Sequence, residues 1–303
     1  MVASLRSLLE GVFDYAGLFP PARLDMPKAL DRYIRHIDGD EDWAVGRFVC
    51  TASGLSDLAR ALDQRQSSPV IPITVVGQIT TDYDEWEFAL ERDAGAMTAF
   101  MNKMGDGADL EAYEVRLPSH THIDSCLSDL KAFSEVEVFV ELPWADEMDD
   151  SIAAIAITEW IFAKGRAGGL NAAEFPDPDS LAGFIHAALA LDVPIKLTAG
   201  LHHPLPSFDE STGGRMHGFL NVLTAGILSR SHDFSRKELV EVLRDDDSRH
   251  WTFSDEGMAW KGHAITLAQI EDLRDLFLGI GTCSIDEPLA DLSTIGFVRK
   301  GHR

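Results

Sequence analysis

The feature of this sequence that most restricts its fold is a regular alternation of two hydrophobic patterns. Short apolar runs with strand-like composition recur along the chain, and each is followed by a segment whose apolar residues repeat at helical spacing. The predicted strands cover residues 11–18, 45–52, 70–77, 112–118, 136–143, 160–169 and 194–202. The predicted helices cover residues 26–37, 55–64, 85–94, 152–158, 179–191, 217–228, 236–243 and 266–277. An eighth strand is predicted either at 250–260 or at 279–285.

Strands that alternate with helices form parallel sheets, because each helix returns the chain to the same edge. Seven or eight such units in 303 residues predict an α/β fold of the (β/α)8 TIM-barrel type, with an open doubly wound sheet as the alternative. No GxGxxG or GxxxxGK(S/T) segment follows an early strand, so nucleotide-binding loops have no support. No linker rich in Pro, Gly or Ser divides the chain, and we predict a single domain over residues 1–303.

The charge balance limits the partners of the chain. It carries 26 Lys and Arg residues against 50 Asp and Glu residues, a formal net charge of −24, and such a surface repels nucleic acid and anionic lipid. No apolar run approaches the roughly 20 residues of a membrane span, and the first residues do not resemble a secretory signal. The three cysteines lie far apart in the sequence and form neither a disulfide framework nor a CxxC metal motif, which agrees with a reducing compartment. We expect a cytoplasmic protein that binds neither nucleic acid nor membrane. The sequence does not decide between a monomer and a homo-oligomer.

Side chains alternate along a strand, so the predicted barrel sorts residues between its helix side and its axis. In four consecutive predicted strands the apolar set faces the helices and charged residues face the axis, namely Glu114, Arg116, Glu141, Lys164, Arg166 and Lys196. Four cations against two anions give an excess of two positive charges, which a bound carboxylate or phosphate would compensate. We expect a small anionic metabolite as the ligand. The alternative is that these charges form internal salt bridges without catalytic meaning.

Lys164 and Lys196 form the most distinctive pair among these residues. They are predicted on adjacent parallel strands, with both side chains facing the axis. A second cation a few Å away in a partly dry site lowers the pKa of an ammonium group, and the neutral amine that results is a nucleophile. The pair therefore predicts a lysine that forms an imine with a carbonyl substrate.

Short motifs around the two lysines carry a resemblance. Each lysine is followed by a turn that contains glycine, and a Gly-Ile-Gly-Thr-Cys-Ser segment follows at residues 279–284. These motifs resemble those of class I aldolases of the deoxyribose-phosphate aldolase kind. The resemblance implies a TIM-barrel lyase in which Lys164 forms the Schiff base and Lys196 tunes it. Arg166 departs from that family, which has a small residue there, and would crowd the imine or redirect the substrate toward a carboxylate.

A second likeness concerns three segments outside the lysine motifs. They are Asp-Tyr-Ala-Gly-Leu-Phe-Pro-Pro-Ala at 14–22, Ala-Gly-Leu-His-His-Pro at 199–204 and Met-His-Gly-Phe-Leu-Asn at 216–221. They are similar to segments of an uncharacterised group of bacterial proteins. This similarity implies no function.

The leading hypothesis is a lyase that makes and breaks a carbon–carbon bond through a Schiff base on Lys164, without a cofactor. Lys196 would lower the pKa of Lys164, and Glu141 or Asp14 would move protons. The expected substrate-binding residues are Arg116, Arg166, Arg47, Glu114, His202 and Asn221. Cys283 has no clear base near it in the sequence and is expected to be a buried thiol. A non-catalytic protein that binds an anionic metabolite is a further alternative.

The competing hypothesis is a metal-dependent hydrolase or isomerase. His202 and His203 follow the seventh predicted strand, and His217 opens the next helix. With Glu141 or Asp14 these imidazoles would hold one divalent ion, zinc or manganese, and activate water. Adjacent residues of an extended segment point apart, so both histidines of the pair can bind one ion only if the chain turns before them.

Overall fold

The computed structural model describes residues 1–65 and 69–298, and its centre is a closed barrel of eight parallel strands. These strands are β1 (Phe13–Tyr15), β2 (Val45–Thr51), β3 (Pro72–Val76), β4 (Asp109–Arg116), β5 (Glu137–Glu141), β6 (Ile161–Arg166), β7 (Ile195–Thr198) and β13 (Phe277–Thr282). They follow one another around the barrel in chain order, and β13 closes it between β7 and β1. The predicted (β/α)8 TIM-barrel fold is therefore confirmed. Residues 66–68 and 299–303 of the predicted 1–303 domain lie outside the described residues.

Helices connect the barrel strands on the outside. They are α1 (Ala3–Leu9), α2 (Met26–Ile37), α3 (Leu55–Asp63), α4 (Tyr83–Met104), α5 (Ile123–Asp129), α6 (Met148–Ile155), α7 (Pro178–Ala190), α8 (Phe219–Ser231), α9 (Arg236–Arg244), α10 (Leu267–Arg274) and α11 (Asp286–Thr294). Local signals set several ends: Asp177 accepts hydrogen bonds from the amides of Asp179 and Ser180 and so caps α7, which begins with a proline. In the described part of the chain no helix has both the length and the apolar character needed to cross a bilayer.

The eighth barrel strand settles the choice between the two sequence candidates. Strand β13 overlaps the candidate at 279–285, and it has four buried and two half-buried residues, as expected for a barrel strand covered by helices. The candidate at 250–260 is wrong. It forms β10 (Trp251–Phe253) and β11 (Gly257–Trp260), which pair with β12 (His263–Thr266) in a separate antiparallel sheet. Its residues alternate between buried and exposed because only one face of this small sheet is covered.

A long excursion separates β7 from β13. After β7 the chain forms a two-stranded sheet of β8 (Ser207–Asp209) and β9 (Gly214–Met216), then α8, α9, the three-stranded sheet and α10. The sequence prediction missed this two-stranded sheet because each of its strands has only three residues. The excursion explains why the regular spacing of strands in the sequence breaks down after residue 202.

The alternation predicted along β4 is present in the structure. Tyr113 faces outward, where its ring stacks on Phe133 with centroids 4.2 Å apart and its hydroxyl donates a 2.8 Å hydrogen bond to Asp93 of α4. The next residue, Glu114, points the other way and reaches lysines on β6 and β7. Charged side chains of these strands therefore point into the interior of the barrel.

Candidate active site

Five ionised side chains form a continuous chain of ion pairs across the barrel axis. Lys164 Nζ lies 2.9 Å from Glu141 Oε2 and 2.7 Å from Glu114 Oε2. Lys196 Nζ lies 2.7 Å from the other oxygen of Glu114 and pairs with Asp14 of β1. All five side chains are buried. Acidic and basic groups thus alternate in the order Glu141, Lys164, Glu114, Lys196 and Asp14.

The register of the strands explains why these side chains meet. In the strand register, Arg116 lies opposite Glu141, Glu141 lies opposite Lys164, and Lys164 lies opposite Lys196, across four neighbouring strands. Residues in one such row point in the same direction, because neighbouring strands keep their pleats in phase. The row lies at the carboxyl ends of the strands, where TIM barrels place their active sites.

Asp14 enters this arrangement from the first strand and is held by the backbone of β2. Its Oδ1 accepts a 2.7 Å hydrogen bond from the amide of Arg47, and its Oδ2 pairs with Lys196. A Cβ atom at position 46 would overlap Asp14 Oδ1, so Gly46 permits the close approach. Asp14 adds a third carboxylate to the axial set. The excess of two positive charges predicted from the sequence is therefore reduced to one.

Electrostatics fix the protonation of the ion-pair chain. Burial alone would raise the pKa of Glu114, but Lys164 and Lys196 lower it to about 2. Burial lowers the pKa of Lys164, but Glu114 and Glu141 outweigh that effect and the pKa is raised. The expectation that Lys196 depresses the pKa of Lys164 is thus wrong for the resting protein. A carboxylate lies between the two ammonium groups, and each lysine is stabilised as a cation.

A cavity of about 460 Å3 opens above the ion-pair chain at the carboxyl ends of the strands. This volume lies within the range of small-molecule sites. We call it the axial cavity; its polar lining residues include Glu114, Arg116, Glu141, Lys164, Arg166 and His202. Lys164 is the only lysine in this wall among the described residues, whereas Lys196 lies deeper and is fully buried. Asp14 also lies below the wall, so it acts on the cavity only through Lys196.

Two arginines in the cavity wall are loosely held. The Arg116 side chain is 46% exposed, and its Nε lies 3.8 Å from Glu141 Oε1. Arg166 follows Lys164 by two positions on the same face of β6, and its backbone oxygen accepts a 2.9 Å hydrogen bond from Trp144 Nε1. Within residues 1–65 and 69–298 its guanidinium group has no ion-pair partner. Burial raises the pKa of Glu141, but Lys164, Arg166 and Arg116 together lower it. Both guanidinium groups therefore act on the floor of the cavity and are available to an anion.

His202 lies in the same wall beside a cysteine that the sequence analysis did not assign to the site. His202 and Cys283 both line the axial cavity, and His202 Nδ1 lies 3.2 Å from Glu287 Oε2. Cys283 and Glu287 together raise the pKa of His202 to about 10. The expectation of a buried thiol at Cys283 is confirmed. His202 follows β7 and Cys283 follows β13, and these two strands are neighbours in the barrel. The sequence could not predict this contact because it left the position of the eighth strand undecided.

We expect Cys283 to react with iodoacetamide about tenfold faster than Cys50 and Cys126 at pH 7.5, because it lines the axial cavity in an electropositive wall, whereas the other two thiols are buried away from it. Burial raises the pKa of the other two thiols to about 12 in each case, so they provide internal controls. Mass spectrometry of the digested protein gives the three rates. His202→Ala should slow the reaction at Cys283, and equal rates at all three cysteines would contradict this assignment.

The three histidines of the metal hypothesis are not brought together. His202 pairs with Glu287, His203 Nδ1 lies 2.5 Å from Asp291 Oδ2, and His217 Nε2 lies 2.8 Å from the carbonyl oxygen of Pro176. The chain does turn before the histidine pair, with positive φ at residues 199 and 200, but the two rings still contact different carboxylates. Within residues 1–65 and 69–298 no group of three His, Cys, Asp or Glu side chains is arranged to hold a metal ion.

Two predicted substrate-binding residues lie elsewhere. Arg47 is at the opposite end of the barrel, where its guanidinium group lies 2.7 Å from Glu111 Oε2 and 2.7 Å from Glu137 Oε2. It is the third residue of β2, and parity within a strand does not say which end of the barrel a residue occupies. Asn221 is buried in α8 and donates hydrogen bonds to backbone oxygens near the end of α9. Both residues are structural.

Comparison with known proteins finds no family whose pattern matches the chain and no curated protein whose sequence matches it. The fold and the geometry of the axial cavity are therefore the basis for a functional assignment.

Proposed function

We propose that the protein is a lyase that forms a Schiff base between Lys164 and a small anionic carbonyl compound. The observation that carries this proposal is the position of Lys164. Its amine is the only one in the wall of the axial cavity among the described residues, and it contacts a carboxylate that shares the wall. Lys196 lies beneath the cavity and acts as a positioning residue that holds Glu114 and Asp14.

Imine formation requires that two protons leave the Lys164 ammonium group and that the carbonyl oxygen departs as water. Glu141 Oε2, 2.9 Å from Nζ, takes the first proton and leaves a neutral amine, which attacks the carbonyl carbon; the carboxyl group then returns this proton to the carbonyl oxygen. The same carboxylate takes the second proton from the nitrogen and donates it to the new hydroxyl group, which leaves as water. Because the pKa of Lys164 is raised and that of Glu141 is lowered, this first transfer is uphill, and attack on the carbonyl carbon must follow it directly. In a substrate with a hydroxyl group on the second carbon from the iminium carbon, Glu141 takes the hydroxyl proton, the carbon–carbon bond between these positions breaks toward the iminium group, and the other fragment leaves as an aldehyde.

The anionic part of the substrate is assigned to Arg116 and Arg166. Both guanidinium groups line the cavity next to Lys164, and a planar guanidinium group binds a carboxylate through paired hydrogen bonds. His202 lies in the same wall, and Cys283 and Glu287 raise its pKa to about 10, so its imidazole is a further cation beside the two guanidinium groups at neutral pH. These charges favour an anion in a chain that is acidic overall.

Borohydride trapping tests the proposal. Protein incubated with pyruvate, glyoxylate, 2-oxobutanoate or acetaldehyde and then reduced should carry a stable adduct on the peptide that contains Lys164, as measured by mass spectrometry. Lys164→Arg should abolish the adduct and keep the buried charge. Lys28→Arg is the matched control, because Lys28 is an exposed lysine 2.6 Å from Asp25. No adduct with any compound, or an equal adduct in the Lys164→Arg protein, would overturn the assignment.

A second function is favoured by one observation, the raised pKa of Lys164, caused by Glu114 and Glu141. A lysine held as a cation suits a protein that binds an anionic metabolite without turnover. In that case the anions of the same panel would raise the melting temperature, and Lys164→Arg would keep the effect. The trapped adduct therefore separates the two functions.

A further inference from the structure

The floor and the rim of the axial cavity differ in character. The floor is the row of charged side chains at the ends of the strands, whereas the rim comes from three loops that follow β1, β3 and β6. The apolar residues of the rim are Phe19, Pro20, Pro21, Ile79 and Leu170, and the charged Glu174 lines the cavity from the same loop as Leu170. Two of them are strongly exposed, with 63% of Ile79 and 54% of Leu170 accessible. An apolar rim above a charged floor fits a ligand with two unlike ends.

Single exposed apolar residues are common on protein surfaces, but these residues line the mouth of one cavity. Three separate loops supply them, so they do not belong to one amphipathic element. The cavity, at about 460 Å3, is many times larger than the ~30 Å3 share of one water molecule in the liquid. A three-carbon oxo acid would fill only part of this volume.

The anion site lies next to the reacting amine. Arg116, Glu141 and Lys164 are successive members of one row across the strands, and Arg166 is two residues beyond Lys164 on the same face. Glu141 contacts both neighbours in the row, with one oxygen 2.9 Å from Lys164 Nζ and the other 3.8 Å from Arg116 Nε. An anionic group bound by these arginines is therefore close to the carbonyl carbon, on the floor and not at the rim.

We infer that the substrate is a 2-oxo acid with an apolar tail. The carbonyl group in this inference rests on the proposed Schiff-base function, whereas the carboxylate and the tail do not. The carboxylate lies at Arg116 and Arg166, the carbonyl carbon faces Lys164, and the tail extends past Ile79 and Leu170. Burial of the tail against the rim supplies affinity in proportion to its length.

Binding of 2-hydroxy acids tests this inference without imine chemistry, because these compounds lack the carbonyl group. We expect the dissociation constant, measured by titration calorimetry at pH 7, to fall about fourfold for each methylene added from lactate to 2-hydroxyoctanoate. The alcohols of matching chain length lack the carboxylate and should bind at least tenfold more weakly.

Two variants of the rim locate the tail. Ile79→Ser and Leu170→Ser should each reduce the gain per methylene and leave the affinity for lactate unchanged. Ile157→Ser is the matched control, since Ile157 is 85% exposed and lies ahead of β6, at the other end of the barrel. An affinity that does not depend on chain length, or a gain that survives both rim substitutions, would overturn the inference. A length-dependent affinity combined with no borohydride adduct from the 2-oxo acids would retain the inference and overturn the lyase.

Discussion

Replacing Lys196 by methionine is expected to lower the free energy of unfolding by about 3–5 kcal/mol, because it removes one partner of a buried ion pair. Asp14 loses its buried cation, and Glu114 keeps only Lys164. Chemical denaturation at pH 7 measures the change. Lys103→Met is the control: Lys103 and Asp63 pair at 2.6 Å on the surface, where such a pair contributes about 1 kcal/mol or less.

The double variant Lys196→Met with Asp14→Asn gives a sharper test. Removing the negative charge of Asp14 should recover part of the lost stability, since an uncharged amide is cheaper to bury than an unpaired carboxylate. The cost of Lys196→Met alone should also shrink as the pH falls toward 4, where the unpaired carboxylates can take protons. A loss below about 1 kcal/mol, or no recovery in the double variant, would show that the ion-pair chain does not stabilise the barrel.

Glu141→Gln is expected to slow formation of the trapped adduct by at least a hundredfold at pH 7, because the variant lacks the group that takes the ammonium proton. Lys164 still contacts Glu114 in this variant, so it remains a cation. The rate should then rise about tenfold per pH unit as the neutral amine appears, whereas the rate of the unmodified protein should vary little between pH 6 and 8. Borohydride trapping at a series of pH values measures both profiles.

Glu137→Gln is the control for this prediction. Glu137 is on the same strand as Glu141, but at the opposite end, where it pairs with Arg47 at 2.7 Å. The Glu137→Gln substitution should leave the rate of adduct formation and its pH dependence unchanged. Equal rates for Glu141→Gln and the unmodified protein would show that another group takes the proton from Lys164.

Much of the axial site follows from strand periodicity. Parity along β4 to β7 placed Glu114, Glu141, Lys164 and Lys196 inside the barrel, because side chains alternate strictly along a strand. Parity does not give the height of a residue along the axis, so it misplaced Arg47. It also treated the two lysines as direct neighbours, although the two oxygens of one glutamate lie between their amines.

The remaining errors concern contacts between distant parts of the chain. The pairing of His202 with Cys283 depends on the position of the eighth strand, which had two candidates in the sequence. Asn221 shares a helix with polar and apolar neighbours, and only the packing of α8 against α9 gives its amide backbone partners. Such contacts have no short-range signal, because they join residues that local hydrophobic patterns treat independently.

The alternation of acid and base across the barrel restricts how this sequence can change. Loss of any inner member leaves an uncompensated ion in a dry interior, so a substitution at position 14 or 196 alone carries a penalty. A joint exchange of Asp14 and Lys196 for apolar residues of similar volume removes both ions and avoids most of that penalty. Among descendants of this chain, positions 14 and 196 should therefore be retained or replaced as a pair.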